Sequence, residues 1–200
     1  MRLFHPTVIL ACALGLVACK QQPTQAVPEP ADTAMSAASD AAAPPPLPAL
    51  TAVATLAPTQ GSHVSGTVTF STVDGHLHAS GQLSGLTPNS EHGFHIHEKG
   101  DCSAPDGSSA GGHFNPAHVA HGAVTANPHH GGDMPNIVAD AQGNAVVDGP
   151  VSSNVNIGNG DDFDILGRGL IVHADADDYV TQPTGNAGAR LACGVIQRGH

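Results

Sequence analysis

Residues 63–84 read HVSGTVTFSTVDGHLHASGQLS: two runs with apolar residues at alternate positions, parted by Val73-Asp74-Gly75. Successive residues of a strand face opposite ways, so this alternation describes half-buried strands, and Asp-Gly between two such runs is a hairpin signal. The pattern recurs along the chain at 51–57, 63–71, 76–84, 91–98, 136–139, 144–148, 169–173 and 191–197, each run bounded by Gly, Asn, Asp or Pro. A second hairpin signal stands at Ala141-Gln142-Gly143. Eight short runs joined in this way predict an all-β fold, an antiparallel sandwich or barrel. Two segments, 99–135 and 174–190, are too long for turns, and loops of that length in a compact domain usually carry function.

The composition agrees with tight turns rather than helix bundles: 24 Gly and 16 Pro stand beside an aromatic fraction of 3% and no Trp. Two hundred residues predict a single core. Seventeen acids against six bases give a net charge of −11, which excludes a nucleic-acid partner, since phosphate contacts require a surplus of Lys and Arg. The 14 histidines point to metal, because imidazole is the commonest metal-ligating side chain.

Arg2 precedes an apolar run at 7–18, too short to span a bilayer but suited to the core of an export signal. The run ends in Leu16-Val17-Ala18-Cys19, which resembles a bacterial lipobox. That resemblance implies a signal peptide at 1–18, a lipid on Cys19 and attachment to a membrane of the cell envelope, facing the periplasmic space. Lys20 in place of Asp favours the outer membrane by similarity to enterobacterial sorting. Residues 20–50 hold nine Ala, seven Pro and no aromatic residue or Gly, whereas 23 of the 24 Gly lie at or beyond Gly61. Such a segment buries too little apolar area to offset its chain entropy. The organisation expected is therefore signal 1–18, lipidated Cys19 with an Ala/Pro-rich linker to 50, and one folded domain at 51–200.

With Cys12 leaving in the signal and Cys19 lipidated, Cys102 and Cys193 remain, and in an exported protein one leftover pair most simply forms a disulfide. Two free thiols serving as metal ligands are the alternative, without a Cys-x-x-Cys spacing to support them. His95 and His97 sit two apart on a strand and so project from one face, able to reach one ion. His113, His121, His130 and Asp133 follow in the first long loop, which can wrap an ion tetrahedrally. His173 closes the run Leu170-Ile171-Val172. The bland readings also fit these patterns: a surface His pair, a polar Gly-rich loop, and a satisfied core histidine.

Taken together, Gly93-Phe94-His95-Ile96-His97-Glu98, Gly100-Asp101-Cys102, Ala110-Gly111-Gly112-His113-Phe114-Asn115-Pro116, Gly169-Leu170-Ile171-Val172-His173 and the stretch from Gly185 through Arg190 and Cys193 to Ile196 resemble copper,zinc superoxide dismutase of the bacterial exported type. The resemblance covers about residues 50–198. It implies an eight-stranded Greek-key barrel or sandwich with two long functional loops, and dismutation of superoxide by copper redox cycling with zinc in a structural and electrostatic role. His95, His97, His113 and His173 correspond to the copper ligands. His113, His121, His130 and Asp133 correspond to the zinc ligands, so that His113 bridges both ions. The family's steps select His130 over the adjacent His129, and His121 over His118. Asp177 resembles the carboxylate joining a copper His to a zinc His, here His95 and His121, and Arg190 resembles the arginine that guides the anion to copper.

The chain departs from relatives whose guiding loop carries lysines: residues 174–189 contain no Lys or Arg and include Asp175, Asp177 and Asp178, leaving Arg190 and Lys99 as the local cations. His63, His76, His78 and His92 match no family position and are expected to face solvent, with His76 and His78 sharing a strand face. The partners implied are superoxide and a membrane, and the resemblance leaves both a monomer and a homodimer open. A metal-buffering module built from the same histidines is the rival reading. It has no need of a bridging His or of Arg190.

Overall fold

The computed structural model describes residues 50–199, so the signal, Cys19 and most of the linker lie outside the described residues. Nine strands run in chain order: β1 Ala52–Pro58, β2 Ser65–Val73, β3 His76–Ser84, β4 Glu91–His92, β5 Phe94–His97, β6 Ile137–Val138, β7 Ala145–Pro150, β8 Gly169–His173 and β9 Arg190–Arg198. A short 3-10 turn, Ser108–Ala110, interrupts the first long loop. All pairings are antiparallel. Seven strands form one sheet in the order β5-β8-β9-β1-β2-β3-β7, while β4 pairs with β6. The all-β, antiparallel Greek-key fold is as expected, with a half-barrel sheet and nine strands where eight were expected.

Each of the eight expected runs contains a strand, and one contains two. The run 91–98 divides at Gly93: β4 bonds to β6, β5 bonds to β8, and the same stretch of chain thus joins the two sheets. Gly93 is where the backbone of the second long loop comes closest, donating to Asp175 O at 2.8 Å and accepting from His173 N at 2.9 Å. A Cβ at this position would lie 2.8 Å from Ala187 Cβ, so only glycine lets the loop pass. At the β2–β3 turn Asp74 has φ 50° and Gly75 φ 81°, the left-handed pair whose twist matches that of a two-residue hairpin.

Phe70, Phe94, Leu56, Ile96, Met134, Ile165, Leu170 and Ile196 are fully buried between the strands. Most strands bury one face only, as β1 does with Ala52, Ala54 and Leu56. Strands β5 and β8 are buried on both. Phe94, Ile96, Leu170 and Val172 fill the core, and the opposite face is covered by the long loops, with Ile171 packing against Ala110 and Cys193. The loops thereby roof over the strand face that carries His95 and His97.

Two sequence expectations need correction. A third long connection, 151–168, has no strand periodicity and no histidine within it or next to it in sequence. The Asp164 carboxylate organises it by accepting from the N–H groups of Gly158, Gly160 and Leu166 at 2.9, 2.9 and 3.0 Å. His92 does not face solvent: it is buried, with Nδ1 2.8 Å from His173 O and Nε2 hydrogen-bonded to Ser90 Oγ. Period two sets His92 on the side of Phe94 and Ile96, opposite His95 and His97, and that parity was the available signal. His63 and His76 are exposed, and half-buried His78 stands 3.3 Å from Asp148.

Candidate metal centre

β5 supplies His95 and His97, the end of β8 supplies His173, and the first long loop supplies His113, His121, His130 and Asp133. The bridge between His97 and His113 pins the loop beside β5. Two groups of four result, each with one ligand atom per residue and all such atoms within 4.8 Å: His95, His97, His113 and His173; and His113, His121, His130 and Asp133. All are buried, and His113 belongs to both.

Hydrogen bonds assign the ring nitrogens. A carbonyl only accepts, so His97 Nδ1, 2.9 Å from Gly111 O, and His173 Nδ1, 3.3 Å from Gly188 O, both carry the proton. Their Nε2 lone pairs then confront each other at 3.3 Å. That contact is repulsive unless a cation lies between them. His95 gives Nε2 to Asp177 Oδ2 at 2.7 Å. His95 Nδ1 and His113 Nε2 are buried and find no hydrogen-bond partner among the described residues, a condition costing roughly 1–3 kcal/mol each if left uncompensated. Four nitrogens with inward lone pairs fit copper(II).

On the other side of His113, three Nδ1 atoms converge on Asp133 Oδ1: His113 at 2.9 Å, His121 at 3.0 Å and His130 at 3.5 Å. A tetrahedron of ligands about 2.0 Å from zinc has edges of about 3.3 Å, so these spacings fit that ion. Asp133 Oδ2 holds the loop in place by accepting from Gly122 N and His130 N at 3.1 and 2.8 Å. His118 is exposed and His129 turns away to Ser152 Oγ at 3.0 Å, so neither competes.

Asp177 lies between the two groups, with His95 Nε2 on Oδ2 and His121 Nε2 on Oδ1 at 3.0 Å. Gly185, at φ 64°, packs so closely that a Cβ there would collide with Asp177 Oδ1. Burial opposes charge on His121, yet the Asp133 and Asp177 carboxylates outweigh it and raise that imidazole to about 9. Burial dominates elsewhere, pushing His113 down to about 4 and His173 to about 3. Both carboxyls are also opposed by burial, and their hydrogen bonds from histidine hold them well below the ordinary carboxylate range.

The half-buried Arg190 guanidinium donates from Nη1 to Gly107 O at 2.6 Å and from Nη2 to Gly111 O at 2.5 Å. Gly111 O therefore joins Arg190 to His97. Lys99 is turned outward, 3.9 Å from Glu98. Cys102 and Cys193 form a disulfide with a Cα–Cα distance of 5.8 Å, tying the first loop to β9. Sequence reasoning missed Asn136 and Gln182, whose side chains brace the two loops. An amide at a loop position carries no periodic signal.

Such a barrel, with a shared histidine between a four-nitrogen site and a tetrahedral site, defines a two-metal protein whose strands and loops divide the ligands. Residues 64–196 match the family model described as copper/zinc superoxide dismutase. The chain is 45% identical over 116 residues to superoxide dismutase (Cu-Zn) 2 of Aquifex aeolicus, covering 56% of this chain and 67% of that one. It is 40% identical to an extracellular copper-zinc superoxide dismutase of Brugia pahangi, over 73% of this chain and 75% of the relative. A solved double mutant of a superoxide-dismutase-like protein from Bacillus subtilis superposes with a TM-score of 0.65 at 39% identity, covering 72% of this chain and 96% of that chain. The chain belongs to the copper/zinc superoxide dismutase family. Its metal sites are intact and its activity is the dismutation of superoxide.

Proposed function

We propose that this chain is the lipid-anchored, cell-envelope form of a bacterial copper,zinc superoxide dismutase, with a signal at 1–18, acyl chains on Cys19, a spacer to 50 and the catalytic domain at 51–200. Support for the anchor is the Leu16-Val17-Ala18-Cys19 motif, and Lys20 favours the outer membrane. Support for export is the Cys102–Cys193 disulfide, a bond that persists in oxidising compartments, together with an extracellular relative.

The observation that carries the catalytic reading is the pair of opposed Nε2 lone pairs on His97 and His173 beside the orphaned His95 Nδ1 and His113 Nε2. When bound there, copper supplies a one-electron couple that oxidises one superoxide to O2 and reduces a second to hydrogen peroxide, while zinc supplies fixed positive charge. The chain does the rest. His113 Nε2 is the atom able to hold a proton and pass it to the reduced product, its Nδ1 being fixed on the Asp133 side. Asp177 orients His95 and His121 together, which favours one ring orientation for each. Arg190 uses two of its five N–H donors on carbonyls and keeps the others for an anion. The covering loops bury the ligands, and buried ligands admit only a small substrate.

Superoxide consumption by copper- and zinc-loaded protein, followed with the copper(II) spectrum, is the test. Rapid dismutation is expected, and metal binding without it marks a buffering module instead. Intact-mass analysis of membrane-extracted protein tests acylation of Cys19, and light scattering of the same sample distinguishes a monomer from a homodimer.

A further inference from the structure

Two side-chain amides clamp the long loops in opposite directions. Asn136, from the first loop side, donates from Nδ2 to Asp177 O and accepts at Oδ1 from Asp177 N, both at 2.9 Å. Gln182, from the second loop, accepts at Oε1 from His121 N and donates from Nε2 to His121 O, again both at 2.9 Å. Each amide thus grips both backbone groups of one residue across a long sequence separation.

The Gln182 clamp bears on a zinc ligand. His121 lies outside any strand, and its N–H and C=O take no backbone partner among the described residues. Its ring is oriented at both nitrogens, by Asp133 and Asp177. Ring bonds set the tilt of an imidazole, but they do not fix the backbone from which it swings. Gln182 bonds both of that backbone's groups, whereas the Asp133 Oδ2 bond reaches only the next amide, Gly122 N. Its position is exposed, so the residue adds little to the core and its amide is what acts.

We propose that Gln182 is a positioning residue for zinc, holding the His121 backbone so that Nδ1 meets the ion. This rests on His121 being a zinc ligand. Copper retention does not depend on it, because the copper ligands stand on β5, β8 and the His113 bridge.

The experiment uses metal-loaded, disulfide-bonded protein and follows zinc transfer to a chromogenic chelator while copper is monitored by its visible absorption. Gln182→Met keeps the length of the side chain and removes both bonds. It should weaken zinc retention about tenfold, the lower end of what losing an outer partner of a metal ligand costs. Copper should stay within twofold of wild type, and the His121 amide should lose its protection against hydrogen exchange. Gln182→Glu, which keeps the acceptor for His121 N–H and lacks the donor, should fall between. Cobalt(II) in the zinc site should show an altered absorption in Gln182→Met. Zinc retention within twofold of wild type, or equal loss of copper and zinc, overturns the proposal. His121→Ala is the reference: if it keeps zinc at wild-type strength, the ligand assignment fails rather than the clamp alone, and the proposal falls with it.

Discussion

Asp133 and His113 meet at 2.9 Å between Oδ1 and Nδ1, an arrangement that leaves His113 Nε2 buried and without a hydrogen-bond partner among the described residues. One imidazole therefore faces two ions, whereas the carboxylate serves only one. His113→Ala should lower both copper and zinc content, and Asp133→Ala should lower chiefly zinc. Metal analysis of the purified variants decides this, and full zinc occupancy in Asp133→Ala would remove the carboxylate from the ligand set.

The disulfide closes 91 residues between Cys102 and Cys193. In the loop-entropy model a closure of that length stabilises by about 4.6 kcal/mol. Cys102→Ser should lower the unfolding free energy by up to that amount. It should also loosen the Gly107 and Gly111 carbonyls that hold Arg190, so activity should fall before the metals are lost. Urea unfolding with a parallel rate assay measures both. Non-reducing peptide mapping of the wild type should recover the linked peptides.

How far the sequence could be read follows from which features are periodic. The eight runs, the β2–β3 hairpin and the His95/His97 pair follow strand alternation, and alternation survives in a bare sequence. Residues 141–143 form a turn but no hairpin, because β6 pairs with β4 and β7 with β3. The zinc ligands sit in a loop, where no period exists: their residue types point to a metal, and only resemblance to a family selects His121 over His118 and His130 over His129. His92 was misread although its parity with Phe94 and Ile96 places it inward, because a polar residue on a strand suggested solvent. The 151–168 connection escaped notice since its order depends on one carboxylate, Asp164, gathering backbone N–H groups. Asn136 and Gln182 act on backbone atoms brought close only by folding.

Asp164 makes the third connection sensitive to acid. Burial opposes its ionisation, but the N–H groups of Gly158, Leu166 and Gly160 outweigh that and lower its pKa below the ordinary value. A carboxyl depressed in the folded state contributes stability that is complete above the unfolded pKa, near 4, and is lost as pH falls through the lower folded value. Asp164→Asn should cost about 2 kcal/mol at pH 7, the scale of a hydrogen bond to a charged group. The urea midpoints of wild type and variant should converge below about pH 4. A gap that persists unchanged into strong acid would show that shape, not charge, matters at this position.

Superoxide is an anion and must reach the copper site in a chain of net charge −11. Within the described residues the cations are Lys99, Arg168, Arg190 and Arg198, against 14 acids. Lys99 is turned toward Glu98, and Arg168 donates to Glu98 O and lies 4.4 Å over the Phe114 ring. The loop 174–189 carries no Lys or Arg, so it offers no positive guiding surface. Only Arg190 shares a carbonyl with a copper ligand. The long-range field of such a chain should repel superoxide, so that capture should depend on short-range charge. Since screening acts over about 8 Å at physiological ionic strength, salt masks the distant acids more than the Arg190 contact. Arg190→Ala should lower the second-order rate at least several-fold with both metals retained, and wild-type activity should fall only weakly with salt or rise. Stopped-flow measurement across ionic strengths tests both. A steep wild-type decline would require a positive surface that these residues do not provide, and an unchanged rate in Arg190→Ala would take the guanidinium out of the reaction.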